Sequence, residues 1–85
     1  MKYIIQDITD EDYYAGPIGL LGLISWHYNP NNYNVIIFDS LSNANKHIEK
    51  LYIESIFNYS FSSLIIVSLE EAIKNFEIFD YGINI

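Results

Sequence analysis

Read as a pattern of apolar and polar positions, the chain opens with a short β-branched and aromatic run, Lys2 to Ile8. Such a run reads as a strand. The polar stretch TDED at 9–12 reads as a turn, and Tyr13 to Ala15 resumes the strand, which predicts a hairpin over residues 2–15. In GPIGLLG, residues 16–22, Gly-Pro punctuates the chain. Three glycines at a spacing of three then break any regular helix. LISWHY at 23–28 reads as a further strand, and NPNNYN at 29–34 as a loop. The continuous apolar run VIIF at 35–38 predicts a buried strand.

Helical spacing begins after Ser40, a residue whose hydroxyl suits an N-cap. Leu41, Ala44, Ile48, Leu51, Tyr52 and Ser55 predict a helix over about 41–58. Its last turns, LYIESIF, are apolar almost all round and read equally as extended chain. NYSFSS reads as a loop, and LIIV at 64–67 as another strand. Ser68 and Glu71 have the spacing of a capping box. Leu69, Ala72, Ile73 and Phe76 predict a helix over 69–76, after which EIFDYGINI reads as an edge strand or a docked tail.

The two helical stretches echo each other at an offset of 28: Ser40 and Leu41 match Ser68 and Leu69, and Ala44, Lys46 and Glu49 match Ala72, Lys74 and Glu77. Every shared residue has a capping, core-facing or solvent-facing role, so the echo reads as scaffold. Two units are too few for a solenoid, which needs about three. The expected fold is α+β: one domain over residues 1–85, built as a small sheet from an N-terminal hairpin and two further strands, with two helices packed on it. Because strands and helices alternate in the second half, both helices are expected on one sheet face.

Composition supports a packed core, with 51% apolar and 16% aromatic residues. The chain has no cysteine, hence no disulfide and no thiolate chemistry. MKYIIQDITDED does not read as a signal peptide, and the apolar window Ile18 to Ile24 falls far short of the ~20 residues that span a bilayer. The expectation is an intracellular, cytoplasmic protein with no membrane partner. Charge changes the picture more. Eleven acids oppose four lysines, a net charge of −7, and no residue is arginine. Displacing counterions from phosphates takes Lys and Arg. No direct nucleic-acid binding is therefore expected; the partner such a charge favours is basic.

Familiar chemistry finds no motif. His27 and His47 share no metal-ligand spacing. TDEDYY lacks the alternation and the glycine of a calcium loop. GPIGLLG lacks both the dinucleotide and the P-loop signatures, and no serine lies in G-x-S-x-G. The chain is expected to be no enzyme and to need no metal or cofactor. Helix dipoles and caps account for Asp39, Glu70 and Glu71. They leave Asp7, Asp10, Glu11 and Asp12 around the hairpin, and Asp80, without such a role. With Tyr13 and Tyr14 these are the candidate partner-binding residues. In a strand the two tyrosines point to opposite faces, so one is expected in the core and the other beside the acids outside.

The arrangement KYIIQDI…DYYAG…SW…IIFDSLSNANKHIEKL resembles small proteins encoded by phages and other mobile elements. In these a Tyr-rich hairpin is followed by a tryptophan, a Phe-Asp-Ser strand end and an alanine-bearing helix. The matching residues are Tyr3, Ile4, Ile5, Tyr13, Tyr14, Ala15, Gly16, Trp26, Phe38, Asp39, Ser40 and Ala44, in the first half of the chain. Some small acidic phage proteins of this kind look like inhibitors of bacterial defence systems, anti-CRISPR proteins among them, that occupy a basic nucleic-acid channel. The resemblance implies a non-enzymatic inhibitor acting as a DNA mimic in the bacterial host cell, with a basic bacterial protein or ribonucleoprotein as partner. Two other readings share the residues: an immunity protein masking a basic toxin nuclease, and a structural subunit that forms a homodimer or larger homo-oligomer through IGLLGL.

Overall fold

Residues 1–18, 23–54 and 64–79 are described by a computed structural model of the chain. β1 (Tyr3–Asp7) and β2 (Asp12–Ile18) form the expected hairpin, closed by the antiparallel pairs Asp7–Asp12 and Gln6–Tyr13. Inside the turn the Thr9 N–H donates to Asp7 Oδ1 at 3.0 Å, and Glu11 takes a left-handed backbone with φ 56°. β3 (Leu23–His27) pairs with β2, and β4 (Leu64–Ser68) pairs with β1 along its whole length. The result is a four-stranded antiparallel sheet in the order β3-β2-β1-β4. With α1 (Leu41–Glu54) and α2 (Leu69–Phe79) it makes a small α+β fold.

LISWHY supplies β3, as its pattern predicted, and LIIV supplies β4, whereas residues 35–38 do not form a strand of the sheet. That stretch makes a single bridge, with Tyr3 and Phe38 exchanging backbone bonds of 2.8 Å, while the Ile36 N–H donates to the Tyr14 carbonyl at 3.0 Å. It wedges between β1 and β2 where the two strands part beyond the Gln6–Tyr13 pair. Four residues between the Asn32–Val35 turn and the Ser40 cap are too few for a full ladder. Val35 is buried and Ile36 and Phe38 pack on the core, but Ile37 is 47% exposed, so the apolar run signalled burial at three of its four positions and strand incorrectly.

β2 also runs further than Ala15. It continues through Gly16-Pro17 to Ile18, with a register irregularity between Tyr14 and Pro17. Gly16 has φ +92°, a backbone open to glycine at little strain, and such bulges accommodate a proline that cannot donate to the ladder. The NPNNYN loop is as expected: Asn29 and Asn32 side chains accept backbone N–H bonds from Asn31 and Asn34 at 2.9 Å each. Residues 19–22 of GPIGLLG, the end of the predicted first helix at 55–58, NYSFSS and residues 80–85 lie outside the described residues; of EIFDYGINI, read as an edge strand or a docked tail, residues 77–79 continue α2 instead.

Successive strand residues point to opposite faces, and β1 carries two fully buried side chains in a row, Ile4 and Ile5. Ile4 packs with Tyr13, Val35 and Ala72 of α2. Ile5 packs with Tyr14 and Leu51 of α1. The helices thus cover opposite faces of the sheet, which corrects the expectation of one shared face. The reason lies in the apolar runs themselves. Ile4-Ile5 does not alternate with polar residues, the pattern of a strand covered on both sides; Leu64 to Val67 runs the same way, although Ile65 in it is 41% exposed.

Both helix caps form. The Asn43 N–H donates to Ser40 Oγ at 3.1 Å, and the Glu71 N–H to Ser68 Oγ at 3.4 Å. Ser68 ends β4 and caps α2 at once, so strand passes into helix without a linker. Ala44 and Ala72 are both buried, as the echo implied, but Leu41 is 51% exposed whereas Leu69 packs against the core. His47 shares the inward stripe of Ala44, Ile48 and Leu51. Its Nε2 lies 2.8 Å from Tyr14 Oη.

Candidate acidic-aromatic cleft

The hairpin turn divides the acids between the two faces. Asp12 alternates with Tyr13 along β2, so it stands on the α1 face, directly across from Asp7. Its Oδ1 is shielded from solvent with no donor among the described residues. Desolvation raises the Asp12 pKa above the usual carboxylate value; Asp7 and Asp10 raise it further, and its own backbone N–H opposes them. Like charges directly opposite on paired strands are destabilising.

Asp10 and Glu11 lie on the other side. They line a cleft of about 380 Å³ with Gln6, Tyr13, Tyr28, Asn75 and Phe76. A smaller hollow of about 130 Å³ adjoins it through Gln6, Tyr13 and Asn75, and adds Val67, Glu71 and Ala72. Each wall has a local cause. The left-handed Glu11 turns the hairpin tip. Ala72 is small where α2 crosses the sheet, which leaves room beside Tyr13. Gln6 Nε2 donates a long bond of 3.5 Å to Tyr13 Oη across the floor. Tyr28 leaves the end of β3 68% exposed, stacked on His27 with ring centroids 4.8 Å apart and planes 19° from parallel. The Asn29 N–H donates to His27 Nδ1 at 3.0 Å, which holds that imidazole in place. Phe76 stands 6.2 Å from Tyr28 on the α2 side.

Of the expected partner-binding residues, the cleft gathers Asp10, Glu11 and Tyr13. Asp7 and Asp12 belong to the opposite face. Tyr14 is core: its ring meets Trp26 edge-on at 5.9 Å and tilts against His47 at 4.9 Å. Both tyrosines are buried, so neither flanks the acids from outside as expected, although Tyr13 reaches the cleft floor. Asp80 lies outside the described residues. Sequence reasoning missed Gln6, Tyr28, Asn75 and Phe76. The pattern LISWHY places Tyr28 on a strand like Trp26, and nothing in it reveals that the strand stops at His27.

Among the described residues no group of three or more His, Asp or Glu side chains is placed to hold a metal ion, and no helix is long and apolar enough to cross a membrane. Comparison of the chain with protein families, curated proteins and solved structures finds no match.

Proposed function

We propose that this chain is a non-enzymatic inhibitor, a phage-encoded protein of the anti-CRISPR type that blocks a basic nucleic-acid-binding surface of a bacterial defence complex. The observation that carries the reading is the cleft at the hairpin tip, where Asp10 and Glu11 meet the rings of Tyr13, Tyr28 and Phe76. Carboxylates, amides and aromatic faces are groups that hold a cation, and none of the lining residues is itself cationic. The chain's −7 charge extends that preference to the whole surface. Charge complementarity of this kind speeds encounter with a basic partner and fixes its register. Asp7 and Asp12 on the far side of the same tip add carboxylates in the role that phosphates play on DNA.

The test is biological. The chain is expressed in bacterial strains that each carry one active CRISPR–Cas or other nucleic-acid-targeting defence, and phage plaquing is counted. Wild type restores plaquing in at least one strain. Asp10→Asn with Glu11→Gln loses that effect while keeping its melting curve. Absence of rescue in every strain would sink the reading.

A further inference from the structure

We infer that the cleft seats one arginine side chain of the basic partner; this rests on the reading above and names the group recognised. At about 380 Å³ the cleft is at the small end of the ~300–1,000 Å³ typical of ligand sites. That volume suits a single side chain better than an extended segment. Its chemistry separates the two protein cations. An ammonium is a compact point charge, whereas a guanidinium is a flat fork that stacks on aromatic faces and bonds carboxylates in pairs. Tyr28 and Phe76 supply the rings, Asp10 and Glu11 the carboxylates, and Gln6 and Asn75 amide side chains.

The aromatic wall is also set beforehand. The backbone of Asn29 pins His27, and His27 stacks on Tyr28, so the Tyr28 ring keeps its orientation although the residue is largely exposed. A fixed ring loses little freedom when a partner stacks on it, and preorganisation of this kind favours affinity. The chain itself has no arginine to compete for the site.

The probes are three blocked tripeptides, Gly-Arg-Gly, Gly-Lys-Gly and Gly-citrulline-Gly, titrated into the full-length protein and followed by amide NMR shifts at low and high salt. The arginine peptide moves the signals of Asp10, Glu11, Tyr28 and Asn75, binds more tightly than the lysine peptide, and weakens with salt. The neutral citrulline peptide does not bind. Tyr28→Ala, at an exposed position, lowers arginine affinity about two- to fivefold, the share of an exposed cation–π contact. Glu11→Gln, which keeps size and removes charge, lowers it as well. Equal binding of citrulline or of lysine, or shifts that map elsewhere, would overturn the inference. Plaquing rescue without arginine binding sinks the arginine site and leaves the inhibitor reading; arginine binding without rescue in any strain does the reverse.

Discussion

The two faces of the sheet receive the same kind of helix and end differently. On the α1 face Ile5, Tyr14 and Leu51 are ringed by Ile24, Trp26, Ile36, Phe38, Ile48 and Leu64, and His47 closes the gap with a bond to Tyr14 and a ring contact to Phe38. On the α2 face the buried set is Ile4, Tyr13, Val35 and Ala72, with Val67 and Leu69 beside it, and a cleft remains next to them. Each helix starts from a serine cap and places an alanine against the sheet. What differs is the bulk around the alanine. The wedge residues Ile36 and Phe38 fill the space on the α1 face, while the α2 face has only Val35 from that segment. One face therefore contributes mainly stability, and the other has room for a ligand.

The sharpest way to break this comparison is to cut into each core. Leu51→Ala on the α1 face is expected to cost about 2–4 kcal/mol, within the usual range for a buried leucine. Leu69→Ala is expected to cost clearly less, because Leu69 is only partly buried. Urea denaturation of both variants checks this. Equal losses would mean that the α2 face is packed as fully as the other.

The caps come next in size. Ser40→Ala is expected to cost about 1 kcal/mol. Ser68→Ala is expected to cost no more, since its bond is the longer, 3.4 Å against 3.1 Å. Helix content and denaturation midpoints read both. A larger loss at Ser68 would sharpen the comparison differently: it would mean that the linker-free passage from β4 to α2 depends on that hydroxyl more than its bond length implies.

Much of this fold was legible in the chain. Serine caps, helical spacing from Leu41 and Leu69, and the hairpin around TDED all follow from local chemistry, and local chemistry decides them. What was not legible depended on partners distant in sequence. VIIF is apolar enough for a strand, but β1 already pairs with β4 on one side and with β2 at the turn, so only a wedge remained. His47 stands at helical spacing from Ala44 and Leu51, so its inward place was legible in the stripe; its bond to Tyr14 across the sheet was not. The acids of the candidate site were visible as unexplained charge. The rings were not, because Tyr28 and Phe76 meet the hairpin tip only after β3 and α2 are placed.

The smallest expected effect concerns the acid that the turn sends to the closed face. Asp12 lies opposite Asp7, with one carboxylate oxygen shut off from solvent, and its pKa is raised by burial first and by Asp7 and Asp10 after. A raised acid pKa means that the folded chain holds the proton more tightly than the unfolded chain. Between the unfolded value, about 3.9, and the raised folded value, stability then falls as pH rises. At neutral pH the full penalty is present, and below the unfolded value it is gone. Asp12→Asn removes the charge and keeps the shape. It is expected to raise the melting temperature slightly at pH 7, with the gain shrinking to nothing as pH is lowered through the carboxylate range. Because Asp12 does not line the cleft, the same variant is expected to leave arginine-peptide binding close to that of the wild type. Melting curves from pH 3 to pH 7 decide the matter. A gain that does not change with pH would trace the effect to packing, and a loss at pH 7 would mean that the ionised Asp12 has a stabilising partner after all.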